Sequence, residues 1–167
     1  MDRRVQILIG FAAVLAIAVG AVLIGQSGGD DGDGGSVGDC TAEGSGEKPA
    51  VEVTGTEPPT ELETEDLEVG DGPEAQLGDS ITVNYVGILF DDCSQFDASY
   101  DTGQPATFEL TQGGLIDGWV QGIPGMKVGG QRQLTIPAEL AYGEAGQPPD
   151  IPPDAALVFV IDLVSIK

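Results

Sequence analysis

The sequence predicts an α+β fold over residues 65–167: an antiparallel sheet of about five strands with one short helix laid across it. Three observations carry this. Beyond Leu67 the apolar residues recur at strand spacing between Gly- and Pro-containing turns, and only one stretch, Ile116 to Ile123, has helical spacing. Of the 167 residues, 41% are apolar, which supplies one core and excludes a large multidomain enzyme. A sheet with a single helix hides its apolar face only when the helix covers it, which makes the fold a roll.

Residues 1–25 open with Arg3 and Arg4 and continue through an uncharged apolar run from Val5 to Ile24. As a helix this run would span roughly 30 Å of hydrocarbon, and the arginines would keep its start in the cytoplasm. The expectation is a membrane anchor with everything after Gly25 outside. A cleaved secretory signal is the other reading, because Ala16 and Ala18 form a small-x-small site, although apolar residues continue past it. Both readings export the rest of the chain.

Residues 26–64 interleave Gly28, Gly29, Gly32, Gly34 and Gly35 with Asp30, Asp31 and Asp33, then turn to Thr, Glu and Pro. So little apolar surface does not offset the entropy of ordering, and a disordered acidic linker is expected. A calcium loop counted from Asp31 fails, since Gly35 falls on its fifth position and Ala42 where a bidentate Glu is needed.

In the domain, Leu67-Glu68-Val69 reads as a first strand, closed by Gly70-Asp71-Gly72-Pro73. The alternation Ile81, Val83, Tyr85, Gly87, Leu89 marks a half-buried strand. Phe108 to Leu110 and Gln131 to Ile136 follow, the latter with Leu134 and Ile136 on one face, and Pro137 ends it. Leu157 to Ile166 is apolar almost throughout, which suits a central strand covered on both faces. Ile116, Trp119, Val120 and Ile123 form one helical stripe, terminated by Pro124-Gly125.

Charge and composition exclude several functions. The formal charge is −22 with six cations, so no basic patch exists to neutralise phosphates, and nucleic acid is not an expected partner. The chain has no histidine, which removes Ser-His-Asp and Cys-His nucleophile systems and imidazole metal ligands. Neither a metal nor a cofactor is expected. The Gly113-Gly114 to Gly129-Gly130 tract lacks phosphate-loop spacing and reads as turns.

Cys40 and Cys93 are too far apart in sequence for a CxxC motif. Outside the cytoplasm they can pair, closing a loop of about 54 residues worth roughly 4 kcal/mol in the chain-entropy model. Two unrelated thiols are the alternative.

Several blocks then fall into a recognisable order. Val83-Asn84-Tyr85-Val86-Gly87, Phe96-Asp97-Ala98-Ser99, Leu115-Ile116-Asp117-Gly118-Trp119 and Gly125-Met126-Lys127-Val128-Gly129-Gly130 resemble the FKBP-type peptidyl-prolyl cis-trans isomerases. Leu134-Thr135-Ile136-Pro137, Ala141-Tyr142-Gly143, Ile151-Pro152-Pro153 and Leu157-Val158-Phe159 extend the resemblance across residues 65–167. It implies a bent half-barrel sheet wrapped around the helix, with an aromatic pocket floored by Trp119. Tyr85, Asp97, Ile116 and Tyr142 are then the expected catalytic positions, the Ile116 N–H and the Tyr142 hydroxyl as donors to substrate carbonyls. Phe96, Phe108, Leu115, Trp119, Ile151 and Phe159 are the expected substrate-binding positions. Proline-containing segments of unfolded or exported proteins, and the family's macrolides, are the implied partners. Outside that context Leu115, Ile116 and Phe159 would be core in almost any fold, and Asp97 with Tyr85 a loop-stabilising pair. Ala106 stands where the family pattern has a bulky aromatic and Gln147 where it often has histidine, which bears on substrate preference.

Such a pocket makes chemical sense. Amide rotation costs about 18–20 kcal/mol because twisting destroys resonance. The twisted amide has less charge separation than the planar one, so a dry apolar cleft favours the transition state, while oriented donors fix the flanking carbonyls. The expected function is a membrane-anchored, extracytoplasmic isomerase assisting the folding of exported proteins. A proline-peptide-binding chaperone or scaffold with little turnover is the alternative. The acidity also suits a high-salt habitat, which predicts stability rising with salt.

Overall fold

The computed structural model describes residues 40–42, 44 and 47–167, with the backbone alone at Cys40. The expected anchor and most of the glycine-rich stretch after it lie outside the described residues. Two sheets are present. The larger comprises β3 (Glu63–Glu68), β4 (Ser80–Leu89), β5 (Gln95–Ala98), β6 (Ala106–Glu109), β7 (Gln131–Ile136) and β8 (Leu157–Ile166). Its order is β3-β7-β8-β4-β5, with β6 also on β4, and all pairs are antiparallel. Strand β6 takes the Ser80–Val83 end of β4 and β5 takes the Val86–Ile88 end, so six strands occupy five positions. The smaller sheet pairs β1 (Cys40–Ala42) with β2 (Val51–Val53).

The helix α1 is a turn and a half, Asp117–Gly122, with Ile116 as its N-cap and Ile123 at its C-cap. It lies very close to the sheet because Gly118 and Gly122 face β7. A Cβ on Gly118 would fall 2.5 Å from Ile136 Cγ2, and one on Gly122 2.7 Å from Leu134 Cδ2. Helix and sheet thereby enclose the main core, in which Ile81, Val83, Leu110, Ile123, Leu134, Ile136, Leu157, Ile161 and Leu163 are essentially water-free.

Three expectations change. Strand β4 is not half-buried along its length: Val86 and Ile88, on the face opposite Tyr85, are covered. What covers them comes from the region expected to be disordered linker. Val51 and Val53 of β2 are 0% and 2% exposed and pack with Val86, Ile88, Phe90, Val158 and Val160 as a second core. Alternating Val-Glu-Val is a short strand pattern within a polar stretch, and burying each valine contributes about 1.5–3 kcal/mol, enough to hold it down. The same strand explains why β8 is apolar on both faces. Finally, the first strand of the large sheet runs over Glu63–Glu68 rather than Leu67–Val69, and every residue in it is exposed. It is an edge strand held by its ladder to β7, so burial leaves no mark on its sequence.

Cys93 lies between β4 and β5 and is disulfide-bonded; the sequence holds one other cysteine, Cys40. No helix among the described residues is long and apolar enough to cross a membrane.

Candidate active site

An aromatic cluster forms where α1 meets the sheet. Trp119 is buried at 4% exposure and is met nearly edge-on by Tyr85 of β4, Phe108 of β6 and Phe159 of β8, at centroid distances of 5.4, 5.5 and 5.2 Å. Phe96 of β5 meets Phe159 in the same fashion at 5.5 Å. Edge-to-face pairs contribute about 0.5–1.5 kcal/mol each beyond their buried area and fix ring orientation. The missing side chain of Gly87 makes room for the last pair. It sits opposite both Phe159 and Asp97, and a Cβ there would fall 2.7 Å from each phenylalanine ring. The indole Nε1 of Trp119 is buried without a hydrogen-bond partner, so the floor keeps an unmet donor in apolar surroundings.

Above this floor opens a cavity of about 470 Å³. Leu115 and Ile116 wall it from the segment before α1, and Ala141 and Tyr142 from the loop after β7. As N-cap, Ile116 supplies its carbonyl to the N–H groups of Trp119 and Val120, while its own N–H stands outside the helical ladder.

The polar side of the cavity is built on Tyr85. Its hydroxyl donates to Asp97 Oδ2 at 2.6 Å, and its backbone N–H donates to Ser99 Oγ at 2.9 Å. Ser99 in turn donates to Asn84 Oδ1 at 3.3 Å. Burial, reinforced by the bond to the Asp97 carboxylate, pushes the Tyr85 phenol well above its ordinary value. Tyr142 is raised for the same first reason, burial, with the Asp97 charge adding to it. Both therefore stay protonated donors at neutral pH.

Of the ten positions expected from sequence, nine line this cavity: Tyr85, Phe96, Asp97, Phe108, Leu115, Ile116, Trp119, Tyr142 and Phe159. Ile151 does not. It is 2% exposed and packs into the main core beside an adjoining cleft that it shares with Phe96, Asp97, Tyr142 and Gln147. Its backbone pairs with Gln147 in both directions, so the two close that loop on itself. Ala106 pairs with Val83 and lines neither space. Sequence reasoning gave no role to Ser99, which is the one buried polar side chain of the described core. Its signal was available: it lies two residues beyond Asp97, at strand spacing, in the block that also supplies the wall residues Phe96 and Asp97.

Residues 72–164 match the family model described as FKBP-type peptidyl-prolyl cis-trans isomerase. The chain is 50% identical over 121 residues to the FK506-binding protein of Streptomyces anulatus, covering 72% of this chain and 98% of that protein. It is 50% identical over 94 residues to the peptidyl-prolyl cis-trans isomerase FPR2 of Saccharomyces cerevisiae, covering 56% of this chain and 70% of the yeast protein. Among solved structures, AtFKBP13 superposes with a TM-score of 0.59 at 42% identity, over 64% of this chain and 93% of the other. FkpA from Escherichia coli superposes with the same TM-score at 43% identity, over 64% of this chain and 48% of the other.

Proposed function

Because this chain belongs to the FKBP-type peptidyl-prolyl cis-trans isomerases and is an isomerase of that class, we propose that it turns Xaa-Pro bonds of exported proteins by desolvating the twisted amide over Trp119. The observation that carries the reading is the indole of Trp119 held edge-on by Tyr85, Phe108 and Phe159 beneath an open cavity. A pyrrolidine ring laid on that floor meets rigid, low-entropy walls. As the amide twists it sheds polarity, so exclusion of water lowers the barrier relative to solution. The Ile116 N–H and the Tyr142 hydroxyl fix the flanking carbonyls, and the Tyr85–Asp97 pair holds the polar wall.

We place the domain outside the cytoplasm, tethered or released by its N-terminal apolar run. Supporting this are the Arg3-Arg4 flank before Val5–Ile24 and the disulfide at Cys93, a bond that persists in oxidising compartments. Its clients would be proline-containing segments of chains folding there, and macrolides of the family would compete for the same cavity.

The test is the cis-to-trans relaxation of a leucyl-prolyl peptide with the full chain, with and without a macrolide ligand. Acceleration that the macrolide abolishes supports the reading. Binding of the peptide without acceleration, by a folded chain, would replace it with a proline-peptide-binding module.

A further inference from the structure

Strand β5 carries two walls of the cavity, Phe96 and Asp97, yet it is four residues long and pairs with β4 alone, through three residue pairs with a register break between them. Such an edge segment is poorly fixed by its own ladder. Something else must hold it. Ser99 and Asp97 tie it to Tyr85 on the inner side.

On the outer side stands Lys48, at the start of the segment that leads into β2. Its ammonium donates to Gln95 Oε1 and lies 3.4 Å from Asp101 Oδ1, while Gln95 Nε2 donates to Asp101 Oδ2 at 2.7 Å. The three side chains close a ring that joins the residue before Phe96 to the single 3-10 turn after Ala98, Ser99–Thr102. The Lys48 side chain is 15% exposed against 56% for Asp101, so its stem packs while the ring itself borders solvent. Val51 and Val53, three and five residues on, are seated in the second core and fix where Lys48 can stand. Lys48 lies outside residues 72–164, the part matched by the family model.

We propose that Lys48 is a positioning residue for isomerisation, tying the bonded Gln95–Asp101 pair to the segment before β2 so that Phe96 and Asp97 stay against the cavity. This rests on the reading of the cavity as the isomerase site. Displacement of a wall by about 1 Å is enough to cost one or two orders of magnitude in rate.

The test uses the full chain and the leucyl-prolyl assay at a temperature where circular dichroism shows every variant folded. Lys48→Met lowers kcat/KM by about tenfold, and Lys48→Arg, which can reach both acceptors, restores most of it. In a Phe96→Ala, Asp97→Ala background Lys48→Met has no further effect, because both walls it positions are already gone. An unchanged kcat/KM in Lys48→Met overturns the proposal, and so does an equal loss in both backgrounds, which would mark general loosening. Should Lys48→Met not fold, Asp101→Ala removes the acceptor shared by Lys48 and Gln95 and is judged by the same outcomes. A wild-type chain that accelerates nothing overturns the isomerase reading and the positioning role with it, whereas an active wild type beside a fully active Lys48→Met overturns the positioning role alone.

Discussion

Tyr85 and Asp97 sit on neighbouring strands as diagonal partners: Asp97 pairs with Gly87, and Tyr85, two residues along on the same face, reaches across to donate to its Oδ2 at 2.6 Å. The pair therefore exists because β5 is in register. It also links the site to titration, since the phenol of Tyr85 is raised by burial first and by this bond second.

Tyr100 and Tyr142 are raised as well, again with burial first, so all three tyrosines of the chain hold their protons more tightly folded than unfolded. A raised folded value means that the native state binds more protons above the ordinary tyrosine range. The stabilisation is fully present below pH about 10 and is lost as pH rises beyond it. Urea midpoints should fall steeply between about pH 10 and 11, and phenolate absorbance should appear with unfolding rather than before it. Phenolate absorbance developing near pH 10 in the folded chain would contradict this.

The two cavity tyrosines should separate function from stability. Tyr142→Phe removes a proposed donor to substrate and is expected to lower kcat/KM by a factor of about 3 to 10, with unfolding free energy within about 0.5 kcal/mol of wild type. Tyr85→Phe strips Asp97 of its partner and should cost about 1 kcal/mol of stability in addition to activity. Equal stability losses in the two variants would mean that the Tyr85–Asp97 bond contributes nothing to the fold.

Much of this fold was legible because the residues that build it alternate or repeat against a strong background, whereas the cavity positions came from the sequence blocks that resemble the FKBP-type isomerases. Trp119 sits on a clear helical stripe, and Leu134 and Ile136 alternate with polar neighbours in β7. Among the features that escaped are two strands, each for a physical reason. Strand β3 buries no side chain, so its only signature is a backbone ladder that composition does not record. Strand β2 is three residues long within a polar stretch, too short for periodicity, and its partner surface is formed by residues 86–88 and 158–160, far along the chain. The apolar outer face of β8 was visible, but nothing local said what lay on it. Ile151 shows that an apolar residue in a wall motif also fits core: it packs into the main core and at the same time lines the adjoining cleft with Phe96, Asp97 and Tyr142.

Strand β2 should behave as part of the domain rather than as tether. Val51→Ala and Val53→Ala each remove two buried methyl groups from the second core, and each is expected to cost about 2 kcal/mol by urea denaturation. A chain beginning at Thr60 should lose more than either, because it uncovers Val86, Ile88, Val158 and Val160 together. If the shortened chain matches the full chain in stability, β2 is not a structural strand.

Arg132 joins three elements, and its attachments to Asp66 and to Gly122 should respond differently to pH. Its Nε and one terminal nitrogen donate to Asp66 on β3 at 2.5 and 3.0 Å, and its other terminal nitrogen donates to the Gly122 carbonyl at the end of α1 at 2.8 Å. The bond from Arg132 holds the Asp66 carboxyl below its ordinary value of 3.8, opposed by burial and aided by the Arg132 charge. A depressed folded value gives stability that is present above the unfolded value and is lost as pH falls through the folded one. Asp66 is 45% exposed, so solvent screening keeps the pair small. Asp66→Asn should cost under about 1 kcal/mol at neutral pH, shrinking toward nothing as acid protonates Asp66 in the wild type. Arg132→Met also frees the Gly122 carbonyl from its cation, a loss that acid does not erase, and should cost about 1–2 kcal/mol. Urea midpoints for the two variants at neutral pH and near pH 3 decide it. Parallel losses at both would mean that the helix end, not the ion pair, is what Arg132 holds, and no loss in either would remove Arg132 from the supports of α1.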